Sequence, residues 1–187
     1  MFYQKLIAKT RTLKIGNGLE PGIDMGPAVD DAQLRTNLSY IDIARKEGAT
    51  QLDGGNKLGG GRYDKDYFLE PTIFGDVTPD MRIAEEEVFG PVLALMVAED
   101  FDDAIRLANG VKFGLSASIV SNNLSRVHQF VNRIEAGLIT VNLPTAGVEY
   151  QLPFGGTKAS SVGMREQGQL ALDFYTESRT VYLKHTI

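Results

Sequence analysis

The chain has 187 residues, a formal charge of −5 and no cysteine. Apolar residues make up 43% and charged residues 23%, which is the composition of a globular protein with a proper core. The negative charge argues against a nucleic-acid surface, and no apolar run approaches the ~20 residues that span a bilayer. The absence of cysteine excludes disulfides, cysteine metal sites and a cysteine nucleophile in this chain.

Three further classes of feature are missing from the sequence. The first residues lack the charged region, apolar stretch and cleavage site of a signal peptide, so we expect a cytoplasmic protein. Only two histidines are present, too few for a histidine metal cluster, and we expect no metal site. The phosphate-loop, dinucleotide-fingerprint and serine-elbow motifs are also absent.

The first part of the chain reads as two helices. Residues 2–15 predict an amphipathic helix that Gly16 stops. Asp30 is a plausible N-cap of the second helix, with Gln33 three residues later as a capping box. The apolar residues that follow have the helical period, and this helix should end near Gly48; they are Leu34, Leu38 and Ile41.

The middle of the chain alternates between strands and helices. Asp100 and Asn123 are expected to begin helices, the first ending at Asn109–Gly110 and the second near Glu135. Short connections between such elements indicate parallel strands with right-handed crossovers. We therefore predict an α/β fold with an open, mostly parallel sheet and flanking helices. The three strands are expected over residues 92–97, 115–120 and 138–141.

The end of the chain departs from this alternation. Residues 144–161 predict a long loop, and long ordered loops in compact domains are usually functional. A helix should follow, with Arg165 and Glu166 at its start. Residues 179–184 alternate polar and apolar side chains as a half-exposed strand does. Such a strand could pair with another chain or belong to the chain's own sheet, and both interpretations stay open.

Two stretches stand out chemically. Three adjacent carboxylates, at residues 85–87, lead through Val88 into Phe89-Gly90-Pro91. A carboxylate there can accept hydrogen bonds from both hydroxyls of a sugar diol, and an adjacent aromatic ring can pack on a flat ring. Pro153 to Lys158 contains paired glycines that allow close backbone approach. A solvated helix end explains the first stretch equally well, and a plain N-terminal charge explains Glu166 equally well.

Together these stretches resemble the C-terminal portion of the aldehyde dehydrogenase superfamily, over essentially all 187 residues. The order and approximate spacing of the motifs fit the family. The matching residues are Gly26-Pro27, Glu70-Pro71-Thr72, Glu86-Glu87-Val88-Phe89-Gly90-Pro91, Val141-Asn142, Pro153-Phe154-Gly155-Gly156-Thr157-Lys158 and Arg165-Glu166. The resemblance implies that residues 1–177 are part of the catalytic domain and that residues 178–187 are an oligomerisation strand.

The resemblance also implies roles for single residues. Glu87 matches the glutamate that binds the nicotinamide ribose of NAD or NADP, and Phe89 matches the aromatic residue beside the nicotinamide. Phe154 matches a residue lining the aldehyde tunnel, and Asn142 begins the loop that shapes the substrate pocket. Glu166 matches a carboxylate that helps to relay protons. Arg165 and Glu177 match positions that tie the catalytic site to the subunit interface. The implied partners are a small aldehyde and further copies of the chain, with no nucleic acid or membrane.

The sequence departs from the family in two places. Between Lys158 and Arg165 the usual Ser-Gly-x-Gly pattern is replaced by a stretch one residue longer, which resembles the subgroup that acts on semialdehydes such as 2-oxoglutarate semialdehyde. The family's cysteine thiolate, which attacks the aldehyde before hydride passes to NAD(P), has no counterpart here. The family's general base and dinucleotide domain lie upstream of the stretch where this chain begins. We therefore expect the chain alone to be inactive.

Two other functions remain open at this stage. A non-catalytic interaction module could join full-length dehydrogenase subunits through the terminal strand. A hydrolase using Ser160 or Ser161 is disfavoured because no suitable histidine lies nearby in sequence. In either case we expect self-association, since the sheet is incomplete relative to the family and should leave apolar surface exposed.

Overall fold

A computed structural model describes residues 1–64, 66–147 and 149–185. The chain forms two compact units, residues 1–99 and 100–187. Within the described ranges, no helix has the length and apolar character needed to cross a membrane.

The first unit consists of helices around a three-stranded sheet. Its elements are α1 (Phe2–Thr10), α2 (Asp31–Glu47), β1 (Thr50–Asp53), a 3-10 helix (Gly61–Tyr63), β2 (Thr72–Gly75), α3 (Arg82–Glu85) and β3 (Val92–Ala94). In the sheet, β2 lies between its neighbours, antiparallel to β1 and parallel to β3.

The helix α2 confirms the sequence prediction at both ends. Asp30 is its N-cap and accepts a hydrogen bond from the Gln33 backbone N–H at 2.7 Å, and Gly48 is its C-cap. Leu34 and Ile41 are buried, and Leu38 packs against them. This face and Phe74 of β2 belong to one core cluster. The apolar surface that α2 and the central strand bury in it stabilises the first unit.

The prediction for residues 92–97 is only partly right. The strand is limited to Val92–Ala94, and it lies at the edge of the first unit's sheet beside β2. Val97 is 77% exposed and Leu93 is 44% exposed, whereas the apolar run predicted a strand buried on both faces. Among the described strands, β2 is the one whose residues are all buried, and the sequence did not predict it.

The second unit contains two small two-stranded sheets. Its elements are α4 (Phe101–Asn109), β4 (Phe113–Gly114), β5 (Ser116–Ile119), α5 (Leu124–Arg133), β6 (Leu138–Val141), β7 (Thr157–Lys158) and α6 (Leu170–Tyr175). The strands β5 and β6 pair in parallel, and β4 pairs antiparallel with β7.

Local signals predicted this unit well. Asp100 and Asn123 cap α4 and α5 through their side chains, and Gly110 ends α4. The parallel pairing of β5 with β6 around α5 is the predicted strand–helix–strand unit. The third predicted member of that parallel set, residues 92–97, contributes β3 to the first unit's sheet. The described residues thus form an α/β fold with three small sheets, where one open sheet was predicted.

Two predictions for the last part of the chain are wrong or unfulfilled. Arg165 and Glu166 do not begin a helix, because α6 starts at Leu170 after a turn in which Gln167 and Gly168 have positive φ. Residues 176–185 belong to no strand, and residues 186 and 187 of the predicted terminal strand lie outside the described residues. The predicted terminal strand would pair with a second copy of the chain, and a single chain offers no such partner. Its role in oligomerisation therefore stays a prediction.

The N-cap of α2 provides a test of this fold. Asp30→Ala removes the acceptor of the Gln33 N–H, and we expect it to lower the free energy of unfolding by about 1 kcal/mol. Asp31→Ala is the matched control, since it removes the same charge one residue later, where the carboxylate only pairs with exposed Arg35. Urea unfolding should show a loss of at most about 0.5 kcal/mol for the control. Equal losses in the two variants would contradict the assignment.

Candidate functional site

The three adjacent carboxylates have different surroundings. Glu86 accepts a hydrogen bond from the Tyr40 hydroxyl at 2.6 Å and pairs with Arg82 at 2.8 Å. Glu87 is exposed and has no hydrogen-bond or ion-pair partner within the described ranges. Glu86 therefore holds structure together, whereas the Glu87 carboxylate is available to a ligand.

The Tyr40–Glu86 contact also changes the pKa of the tyrosine. The hydrogen bond to Glu86 raises the pKa of Tyr40 above its ordinary value, with desolvation and the Glu86 charge adding to the effect. The Arg82 guanidinium lies 5.4 Å from the centre of the Tyr40 ring. The Glu86 carboxylate, through its hydrogen bond from Tyr40, thus attaches the segment that precedes Glu87 to α2.

Phe89 presents its ring to solvent from an unusual backbone conformation. Its side chain is 75% exposed, and its φ is 53°, in the left-handed region that bulky residues rarely adopt. The Gln33 side chain faces this turn, and its Nε2 donates to the carbonyl oxygens of Val88 and Phe89 at 3.1 and 3.0 Å.

Gln33 thus ties the turn to α2 by a contact that the sequence did not reveal. The sequence predicted a role for Gln33 in the capping box, and its backbone N–H does bind Asp30. Its side chain, however, reaches a segment far along the chain. Periodicity and capping patterns describe near neighbours only, so no local pattern signals this contact.

A cavity of about 440 Å³ lies beside this turn. Phe89 and Gln33 line it together with Pro27, Leu69 and Pro91, and most of its lining is apolar. The Gly26-Pro27 pair of the sequence motif therefore meets the Phe89 turn at one cavity. A larger cavity of about 900 Å³ in the same unit is lined by none of the predicted site residues.

In the second unit the structure brings Phe154 and Glu166 together. Their backbones form an isolated antiparallel bridge, with N–H···O distances of 2.7 Å from Phe154 and 3.1 Å from Glu166. Both residues are half-buried. The Arg165 guanidinium donates to the carbonyl oxygen of Gly156 and so joins the same two segments a second time.

Lys158 and the paired glycines are structural elements of this region. The Lys158 ammonium donates to the carbonyl oxygens of Asn109 and Val111 at 2.6 and 3.1 Å and pairs with Glu135 at 2.7 Å. A Cβ on Gly137 would lie 1.9 Å from the carbonyl oxygen of Gly155, so the two backbones meet where only glycine fits. The motif thereby fixes the segment that carries Phe154.

The two serines of the divergent stretch accept backbone hydrogen bonds. Ser160 Oγ accepts from the Gly114 N–H at 2.9 Å, and Ser161 Oγ accepts from the Gly156 N–H at 2.7 Å. These contacts close the loop onto β4 and the paired glycines. They give both serines a structural role and weaken the interpretation of either one as a nucleophile.

Asn142 locks the ends of β5 and β6 together. Its Oδ1 accepts from the Ser121 N–H at 2.8 Å, and its Nδ2 donates to the Ser121 carbonyl oxygen at 3.1 Å. Its φ is 55°, which asparagine tolerates better than most residues. Because both polar ends of the side chain bind Ser121, Asn142 acts on the following loop by anchoring its start.

Comparison with known proteins gives a consistent result. A sequence profile described as "Aldehyde dehydrogenase family" matches residues 1–181. The chain is 47% identical over 183 residues to the alpha-ketoglutaric semialdehyde dehydrogenase of Bacillus subtilis, covering 98% of the chain and 38% of that protein. It is 47% identical over 182 residues to the 2,5-dioxopentanoate dehydrogenase of Saccharolobus solfataricus, covering 97% of the chain and 37% of that protein.

Solved structures agree with the sequence matches. The betaine aldehyde dehydrogenase of Staphylococcus aureus in complex with NAD+ aligns with a TM-score of 0.89 and 34% identity, over 93% of the chain and 34% of that protein. A 3,6-anhydro-L-galactose dehydrogenase aligns with a TM-score of 0.91 and 34% identity, over 98% of the chain and 38% of that protein. The chain thus spans little more than a third of the length of these relatives.

The contrast between Glu86 and Glu87 is directly testable. Glu86→Ala removes the Tyr40 acceptor and the Arg82 ion pair, and we expect it to lower the free energy of unfolding by about 1–2 kcal/mol. Glu87→Ala removes a neighbouring carboxylate that has no partner among the described residues, so urea unfolding should shift by less than about 0.5 kcal/mol. Similar losses would show that Glu87 is held as firmly as Glu86.

The raised pKa of Tyr40 predicts a loss of stability at alkaline pH. The hydrogen-bonded, protonated tyrosine contributes stability that is fully present below the unfolded pKa of about 10 and is lost as pH rises through the higher folded pKa. Wild type should therefore lose more stability than Tyr40→Phe between about pH 8 and about pH 11. Parallel unfolding curves for the two proteins over this range would contradict the prediction.

Proposed function

The chain belongs to the aldehyde dehydrogenase family, and on that premise we propose that its residues form the C-terminal part of an NAD(P)-dependent enzyme that oxidises an aldehyde to a carboxylic acid. The observation that carries the proposal is the unpartnered Glu87 carboxylate beside the exposed Phe89 ring, in the described segment that matches the family motif. We propose residues 1–177 as catalytic-domain sequence and residues 178–187 as the oligomerisation strand of a cytoplasmic enzyme.

The residues present fit the nicotinamide half of the cofactor. A free carboxylate can accept both hydroxyls of a ribose, and an exposed aromatic ring can pack against a planar heterocycle. The oxidised nicotinamide supplies the hydride acceptor when it is bound. Glu87 would hold the ribose and Phe89 would orient the ring, while the paired Glu86 keeps the segment in place.

We propose substrate roles for three residues of the second unit. Phe154 would line the aldehyde path, and the Asn142 anchor would fix the start of the pocket loop. Glu166 would accept or pass a proton close to Phe154, with which its backbone is bridged. The proposed substrate is a semialdehyde of a dicarboxylic acid, such as 2-oxoglutarate semialdehyde. The names of relatives at 47% identity and the lengthened stretch between Lys158 and Arg165 support this choice.

The nucleophile must lie outside these residues, because the chain contains no cysteine. We therefore propose that the 187 residues are inactive alone, and that the active site is completed by family sequence outside them.

A second candidate function is the interaction module. Exposed apolar side chains near the end of the chain favour it, since such surface suits contact with another subunit; they are Val181, Tyr182 and Leu183.

A chimera tests the proposal. Residues 1–187 would replace the matching segment of the Bacillus subtilis relative, which retains its own upstream sequence. We expect NAD(P)H formation with 2-oxoglutarate semialdehyde from the chimera and none from the isolated chain. Glu87→Gln in the chimera should lower kcat/KM for the cofactor about 10- to 100-fold, because it weakens hydrogen bonds to a charged acceptor.

The matched control is Glu85→Gln, which removes the same charge from another exposed position of the run. It should leave kcat/KM within about twofold. Equal effects of the two substitutions would contradict the assignment of Glu87. An inactive chimera, with the isolated chain comigrating with the intact relative on pull-down, would favour the interaction module.

A further inference from the structure

Asn37 is a buried polar residue on the apolar face of α2. It is 1% exposed and lies between Leu34 and Ile41 on the face that packs into the core. Burying an amide is unfavourable unless its polar atoms are hydrogen-bonded. The Oδ1 atom of Asn37 accepts a hydrogen bond from Gln33 Nε2 at 2.9 Å.

This hydrogen bond fixes the group that holds the Phe89 turn. The two N–H groups of Gln33 Nε2 face three acceptors, so at least one N–H is shared between two of them. The acceptors are Asn37 Oδ1 and the carbonyl oxygens of Val88 and Phe89. Without these acceptors the Gln33 side chain would sample several rotamers, and ordering it has an entropic cost. The buried Asn37 acceptor selects the rotamer that directs Nε2 to both carbonyls.

Asn37 also contacts the turn directly. A Cβ built on Gly90 would lie 2.4 Å from Asn37 Nδ2 and 2.5 Å from its Oδ1, so the Gly90 backbone rests against the amide. Gly90 has no positive φ, and its need for glycine therefore comes from this close approach and not from its conformation. The amide thus supports the turn from below, while Gln33 holds its carbonyls.

We propose that Asn37 is a positioning residue that, through Gln33 and Gly90, holds Phe89 in its left-handed conformation and so fixes the Glu87–Phe89 segment for the cofactor. The part that concerns the cofactor rests on the proposed function; the part that concerns the turn does not. A left-handed phenylalanine is strained and persists only where its surroundings over-determine it. The two amides, Asn37 and Gln33, are the surroundings that do so.

The turn can be tested in the full 187-residue chain without cofactor, by NMR relaxation of the Phe89 and Gly90 amides. In the wild type we expect order parameters of about 0.85, and in Asn37→Ala values below about 0.6. Ala44→Gly is the matched control, since it weakens the same helix at a buried position away from the turn. It should leave both order parameters unchanged.

Two further variants keep the test decisive if Asn37→Ala does not fold. Gln33→Met removes the donor at similar length, and Gly90→Ala places a methyl group where the Asn37 amide now lies. Each should loosen the Phe89 amide as Asn37→Ala does. Unchanged order in these variants, or an equal loss of order in Ala44→Gly, would overturn the proposal.

The chimera separates this inference from the proposed function. There, Asn37→Ala should raise KM for NAD+ about tenfold with a smaller effect on KM for the aldehyde. A loosened turn with unchanged KM for NAD+ would overturn the positioning role toward the cofactor. An ordered turn in Asn37→Ala, together with the expected effect of Glu87→Gln, would overturn the inference and leave the proposed function standing.

Discussion

The attachment of the Phe89 turn to helix α2 is the constraint on which the first unit's candidate site depends. One face of α2 packs with β2 in the core, and the same helix carries Gln33, Asn37 and Tyr40. Gln33 binds the backbone carbonyls of Val88 and Phe89, and Asn37 accepts a hydrogen bond from Gln33. Tyr40 donates to Glu86. The segment from Glu86 to Gly90 is therefore attached to α2 by several hydrogen bonds, although most of its own residues are not buried.

This arrangement explains how an exposed carboxylate and an exposed ring can have defined positions. The Glu87 side chain has no hydrogen bond to any of the described residues, and Phe89 is held through its backbone carbonyl, which accepts from Gln33. A site built in this way leaves its functional groups free for a ligand while the supporting residues bear the stability. In the second unit, Arg165 binds the carbonyl oxygen of Gly156, in the segment that carries Phe154. Lys158, in the same segment, binds the carbonyl oxygens of Asn109 and Val111.

The sequence predicted the parts of the structure that depend on near neighbours. The caps at Asp30, Asp100 and Asn123 and the bounds of β6 follow from local chemistry and periodicity, and each is found. Strand partners depend on distant sequence, so the pairing of residues 92–94 with β2 was missed. The helix expected at Arg165 failed because a turn with positive φ at Gln167 and Gly168 delays it.

In the candidate site, too, the sequence predicted what depends on local motifs and missed what depends on distant residues. The family motifs indicated Glu87, Phe89, Phe154 and Glu166. No sequence pattern, however, distinguishes the hydrogen-bonded Glu86 from Glu87, which has no partner among the described residues. That distinction comes from Tyr40, which lies far away in sequence. Asn37 has the helical spacing of Leu34 and Ile41, so periodicity places it on the apolar face, whereas its residue type favours solvent. Only the fold shows that it lies against Gly90.

We propose that these residues work as part of a longer dehydrogenase. The intact mass of the native polypeptide in extracts of the source organism, detected with an antibody raised against this chain, tests this proposal. We expect a product of more than twice 20.5 kDa. A product of 20.5 kDa would contradict it, because the cell would then make a chain without cysteine whose function must be sought in its partners.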